Sequence, residues 1–102
     1  MKAYRFHPDA RAELEAAVDW YQARYVPAAE ALIDAVEDAM ATIRRLPLAW
    51  PAWPGRDDVR LKVLIYRFSI VYMVREDEVV ILAIAHHRRR PGYWLGRSRS
   101  AP

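Results

Sequence analysis

With 102 residues the chain is long enough for one small domain and one core, so a single site has to carry its function. A hydrophobic fraction of 54%, with 4 Trp and 6 Tyr, supplies that core and argues against a disordered chain. The absence of Cys excludes a disulfide framework, a thiolate nucleophile and a Cys-ligated metal or cluster, and the net charge of +3 says less than its distribution. Eight acidic residues stand between Asp9 and Asp38 against Arg11 and Arg24, whereas Arg88, Arg89, Arg90, Arg97 and Arg99 follow His86 with no acid among them. A polyanionic partner is one reading of that asymmetry; a solubilising C-terminus is the other. No stretch approaches the roughly 20 apolar residues that span a bilayer, and the opening MKAYRFHPDAR is not a signal segment. A soluble, cytoplasmic protein with no membrane partner is expected.

Along the chain, residues 2–6 alternate polar and apolar and predict a short strand. His7-Pro8-Asp9 starts a helix, since Pro fits the first turn and Asp9 and Glu13 suit the positive end of the dipole. Ala10, Leu14, Ala17, Val18 and Tyr21 form its apolar stripe, with Arg11, Glu15, Asp19 and Gln22 turned to water. Trp20, Tyr21 and Tyr25 at helical spacing are expected to pack rather than to bind a ligand. Val26-Pro27 separates this helix from a second, from Ala28 to about Leu46, with Ala29, Leu32, Ile33, Val36, Met40 and Ile43 in register and Pro47 as its stop. The short link predicts an antiparallel helical hairpin with an acidic outer surface. PLAWPAWPGRDD, from Pro47 to Asp58, is expected to be a turn-rich connection.

Three strands follow. Val59, Leu61, Val63 and Ile65 alternate with Arg60 and Lys62, while Ser69–Arg75 and Val79–Ala85 are apolar on both faces and are joined by a polar turn. The fold class is therefore α+β: an N-terminal strand, a two-helix hairpin, then a three-stranded antiparallel meander in a single domain. If the apolar set of the first meander strand faces the helices, Arg60 and Lys62 emerge as paired cations on the open face. The simpler reading of that pair is a solvated face.

His86, His87, Arg88, Arg89 and Arg90 leave the last strand, and Tyr93 and Trp94 follow. Guanidinium groups that neutralise phosphates beside aromatic planes that stack bases suit RNA. In a metal-independent nuclease, Arg and Lys also stabilise developing charge while His or Tyr relays protons. His86 and His87 are adjacent on a strand, so they point to opposite faces and do not share one ion; no metal and no other cofactor is expected. Trp50 and Trp53, in a Pro-rich loop, either anchor a partner or cap the sheet. No P-loop, GxGxxG, serine triad order or paired carboxylates support hydrolase or kinase chemistry.

YRFHPDARAELEAAVDWY, YRFSIVYMVREDEVVILAIAHHRRRP and PGYWLGR together resemble the RelE/ParE toxin superfamily across nearly the whole chain. That resemblance implies a toxin domain over residues 1–95 with a basic, flexible tail at 96–102. It further implies growth arrest, a cognate protein antitoxin, and contact with operator DNA only indirectly through that antitoxin. Two chemistries exist in the superfamily: ParE-like members poison DNA gyrase, and RelE-like members cut messenger RNA on the ribosome. By position, Arg60, Lys62, Arg88 and Tyr93 match the basic residues and the terminal Tyr of the nucleases. Arg67, His86, His87, Arg89, Arg90, Trp94, Trp50 and Trp53 are the candidates for contact with target or antitoxin. The chain departs from the nucleases at Ser69, where they carry Arg; Arg67 lies two residues away, on what alternation makes the same face. The AHHRRRPGYW ending resembles the plasmid-stabilisation, ParE-like branch, so gyrase is the preferred target, with a ribosome-dependent endonuclease or a non-toxic antitoxin binder as alternatives.

Overall fold

The computed structural model describes residues 1–100. β1 (Ala3–Phe6) runs into α1 (Pro8–Gln22) through His7, whose backbone N–H donates to Ile81 O at 2.8 Å and whose Nδ1 accepts from the Asp9 N–H at 3.1 Å. One residue thus closes the strand and caps the helix, and Pro8 has no amide to leave unsatisfied. α2 (Val26–Arg45) begins with Pro27 in its first turn and buries Ala29, Leu32, Val36, Ala39, Met40 and Ile43. Its end is tied to β1 by Lys2 N–H to Arg44 O and by Arg44 Nε to Lys2 O. Glu15, Asp19, Glu30, Asp34, Glu37 and Asp38 are all exposed, so the hairpin has the acidic outer surface its sequence predicts.

β2 (Ala52–Trp53), β3 (Arg56–Val63), β4 (Phe68–Val74) and β5 (Glu78–His86) complete a sheet in the order β1-β5-β4-β3-β2. β1 pairs in parallel with β5 and the remaining neighbours are antiparallel. The expected turn-rich connection from Pro47 to Asp58 is partly regular: Ala52 and Trp53 form an edge strand, and β3 starts at Arg56 rather than Val59. Pro47 O accepts from the buried Tyr72 hydroxyl at 2.6 Å, which pins this loop to the sheet.

The assignment of faces on β3 is reversed from the expectation. Phe68, Ile70, Tyr72, Val79, Ile81 and Ile84 pack under the helices, whereas Val59 lies on the opposite face with Val71, Met73, Val80, Leu82 and Ala83. Arg60 pairs with Tyr72 and Lys62 with Ile70, so both cations share the helix side of the sheet, at its β3 edge. The other face is not open: Trp94 is only 2% exposed, and it closes that face with Trp53, Leu61, Tyr93 and Leu95. Two covered faces explain why β4 and β5 are apolar on both sides.

A one-residue bulge lies opposite Val71 and Tyr72, which pair with Ala83 and Ile81 and leave Leu82 extra. It flips the alternation of β5, so Ile84 rejoins Val79 and Ile81 on the helix side. Trp20 and Tyr25, expected to pack, are 51% and 66% exposed, and only Tyr21 turns inward. Of the expected flexible tail, Arg97–Ser100 form a short helix, α3, and Arg97 is paired with Glu13; Ala101 and Pro102 lie outside the described residues. Among the described residues no helix is long and apolar enough to cross a membrane.

Candidate functional site

Among the described residues the edge of β5 beyond Ile81 has no strand neighbour, because β1 ends at Phe6. Buried backbone groups there need partners, and α1 and the C-terminal segment provide them. Glu13 Oε1 accepts from Ile84 N–H at 3.1 Å, and Arg97 Nη1 donates to Leu82 O at 3.0 Å and to Glu13 Oε1 at 2.8 Å. The Tyr93 hydroxyl donates to Glu13 Oε2 at 2.6 Å, and Arg89 lies 3.8 Å above the Tyr93 ring. Burial, then the hydrogen bond and charge of Glu13, push the Tyr93 hydroxyl well above its ordinary pKa. Burial disfavours the Arg97 charge, but Glu13 outweighs it and raises that group too. The Tyr93 hydroxyl is thus engaged as a donor to a carboxylate that also holds the β5 edge.

The remaining nuclease candidates are not gathered around it. Arg60 Nη1 donates to Leu48 O at 3.2 Å and Trp50 O at 3.1 Å, and its Nε donates to Asp57 O. Lys62 Nζ stands 5.0 Å from the centre of the Trp50 ring. Both lie on the helix side of the sheet, while Tyr93 packs against the apolar cluster of the opposite side. On that opposite face β3 presents Val59 and Leu61, while Lys62 reaches a hollow that Ser69 also lines, with Trp50, Trp53 and Leu61. Ser69 Oγ is 2.9 Å from His87 Nε2 and lines a hollow with Trp53, Leu61 and Trp94. Arg67 does not share that face: it belongs to the β3–β4 turn and borders α1. The two histidines diverge, His86 meeting the Phe68 ring edge-on at 5.0 Å and His87 meeting Ser69.

What the fold does assemble is a groove of about 650 Å³ between the last turn of α1, the β3–β4 turn and the end of β5, lined by Ala16, Trp20, Tyr21, Arg67, His86 and Arg88. Of the sequence candidates it unites Arg67, His86 and Arg88. Arg89, Arg90 and Trp53 line the neighbouring hollow, and Trp50 sits under Lys62. Trp20 and Tyr21 are the members that sequence reasoning assigned to the core. Tyr66 and Arg67 have φ of 58° and 61°, and Phe68 N–H donates to Ile65 O across them. A two-residue turn of this hand ordinarily carries Asn-Gly; placing Tyr and Arg there costs about 1 kcal/mol or more per residue. His87 N–H to Arg67 O at 2.8 Å and the Tyr21–Tyr66 stack at 4.5 Å hold the turn. The one available sequence sign was a tight connection, LIYRF, that lacks Gly and Asn.

An N-terminal strand, a helical hairpin and a strand meander in one domain match a ParE-like fold. The fold is similar to that of a chain from a chromosomal ParDE TA system from P. aeruginosa, with a TM-score of 0.68 and 22% identity over 84% of this chain and 96% of that one. The sequence model of the ParE toxin of the type II toxin-antitoxin system parDE matches residues 4–91, and the chain belongs to that family. No curated protein matches its sequence.

Proposed function

We infer that this ParE-family toxin acts by binding, with DNA gyrase as its target and growth arrest as the outcome, and that a cognate antitoxin neutralises it. The observation that carries the reading is the dispersal of the nuclease set. Arg60 is committed to loop carbonyls, Tyr93 to Glu13 and Lys62 to Trp50, which leaves Arg88 as the one member of the four facing the groove. An RNA-cleaving site needs a proton relay and charge stabilisers within hydrogen-bond reach of one phosphate.

The antitoxin reading rests on family membership and on two grooves beside α2. One, of about 320 Å³, runs along Tyr4, Phe6, Leu14, Ile33 and Met40 with Arg44 at its rim; the other lies between Asp38 and Lys62. An amphipathic segment that wraps the hairpin would bury the exposed Ile33 and Tyr4 and meet the Lys62 edge.

Inducible expression of the chain alone, followed by gyrase supercoiling and ribosome-dependent RNA cleavage assays on the same purified protein, tests the reading. Arrest with inhibited supercoiling, relieved by co-expressed antitoxin, is the expected result. Codon-phased cuts with intact supercoiling would establish the nuclease instead, and absence of arrest would leave an antitoxin binder.

A further inference from the structure

We propose that the groove between α1, the β3–β4 turn and the end of β5 is a binding site for single-stranded nucleic acid, with a base stacked at Trp20 and Tyr21 and flanking phosphates held by Arg67 and Arg88. Four observations converge on it. Among the described residues the lining contains no carboxylate, although Glu15, Asp19, Glu30, Asp34, Glu37 and Asp38 are exposed on the helical hairpin that forms one wall. Among the described residues neither the Arg67 nor the Arg88 guanidinium has a hydrogen-bond or ion-pair partner, in contrast to Arg60 and Arg97.

Trp20 keeps 51% of its surface exposed next to Tyr21, at 4.9 Å and 79°, and Tyr21 in turn stacks on Tyr66. Arg24 lies 3.7 Å over the Trp20 ring, so a cation backs the aromatic platform. Finally, the chain accepts two side chains in left-handed backbone at the turn that presents Arg67. Strain of this kind is retained where a side chain has to be aimed.

The chemistry matches one ligand class. A surface for an acidic protein needs the cations but has no use for a half-exposed indole and stacked tyrosines around an open floor made by Ala16 and Ala17. Unpaired bases supply flat π-faces at the spacing of their phosphates, and a stacked base with neutralised phosphates is how such strands are held without sequence readout. A volume of about 650 Å³ falls within the roughly 300–1,000 Å³ of ligand-holding clefts. The inference goes beyond the gyrase reading and does not depend on it.

The test is fluorescence anisotropy with end-labelled oligo-dT and oligo-rU on the purified full chain, over a salt series. Wild type is expected to bind, more weakly as salt rises. Trp20→Ala should weaken binding about tenfold and Trp20→Phe much less, as a stacking role requires. Arg67→Gly, which keeps the turn because Gly accepts φ of 61°, and Arg88→Ala should each flatten the salt dependence by about 0.7 in log–log slope. Arg45→Ala is the control, one exposed charge removed at the far end of α2.

The rU and dT arms distinguish RNA from DNA as the source of the strand. No binding at low salt, equal weakening by Arg45→Ala, or indifference to Trp20→Ala would each overturn the proposal. Displacement by polyglutamate as effective as by unlabelled oligonucleotide would assign the groove to an acidic protein and overturn it as well.

Discussion

Glu13 and Arg97 form a bidentate ion pair across 84 positions of sequence, with contacts of 2.8 and 3.1 Å and side chains only 15% and 16% exposed. Glu13 also receives the Ile84 amide and the Tyr93 hydroxyl, and Arg97 also supplies the Leu82 carbonyl. The pair therefore replaces the strand that β1 is too short to provide. Removing one partner leaves a buried charge and an unpaired backbone group, so Glu13→Ala should cost about 3 kcal/mol in urea denaturation. Arg97→Ala should cost about as much, and the double variant less than the sum, with a coupling of about 2 kcal/mol. Additive losses would show that the two residues act separately.

Alkaline pH probes a second buried contact. Burial pushes the Tyr72 hydroxyl from 10.0 up to about 12, although Arg60 pulls it back. The folded state holds the proton more tightly than the unfolded chain, so its contribution to stability is complete below pH 10. It is lost as pH rises from there through about 12, by roughly 2 kcal/mol, and Tyr93 shifts in the same direction. Tyr72→Phe should lower stability at neutral pH, through the lost bond to Pro47 O, yet flatten its decline above pH 10. Tyrosine absorbance titration of wild type and variant checks the assignment: the variant should lack a phenol ionising near pH 12.

The tryptophans separate core from surface. Trp94 is buried edge-to-face against Trp53 at 5.0 Å, and Gly92, at φ of 79°, lets the chain turn there with Trp53 3.2 Å from where a Cβ would stand. Trp94→Ala should cost about 3–5 kcal/mol, whereas Trp20→Ala, on an exposed helix position, should cost under about 0.5 kcal/mol. Thermal and urea unfolding of the two variants side by side would reveal a reversed order if Trp94 served mainly as a partner contact.

The sequence made the elements legible because helical and strand periods are local properties: the helical hairpin, the central strands and the His7-Pro8 start are all found within a residue or two of their expected places. Which face of β3 turns inward is not local. Val59 and Arg60 alternate in either case, and the choice follows from the aromatic C-terminal segment covering the second face, which sequence reading had left open. The double-sided apolarity of β4 and β5 already contained that information, as did Trp53 and Trp94 in turn-rich stretches. Glu13 is not legible as a tertiary partner because a glutamate near a helix N-terminus has a sufficient local explanation in the dipole, while its bond to Ile84 N–H lies just past a bulge that no pattern announces. For Trp20 the reason is the opposite: helical spacing near an apolar stripe resembles packing, and only the neighbouring turn makes it part of a surface.

Arg60 gives the sharpest separation between a structural and a catalytic cation. Its guanidinium ties the Leu48 and Trp50 carbonyls to β3 and lies beside Tyr72, whose hydroxyl holds the same loop through Pro47. Arg60→Ala should therefore lower stability by about 1–2 kcal/mol, the cost of leaving loop carbonyls without a charged donor. Arg88→Ala, at an unpaired exposed position, should leave stability unchanged within about 0.5 kcal/mol. If Arg60 is structural, growth arrest per unit of folded protein persists in Arg60→Ala when expression and temperature are chosen to keep it folded. Loss of arrest in a demonstrably folded Arg60→Ala would return this residue to a catalytic role and reopen the endonuclease reading.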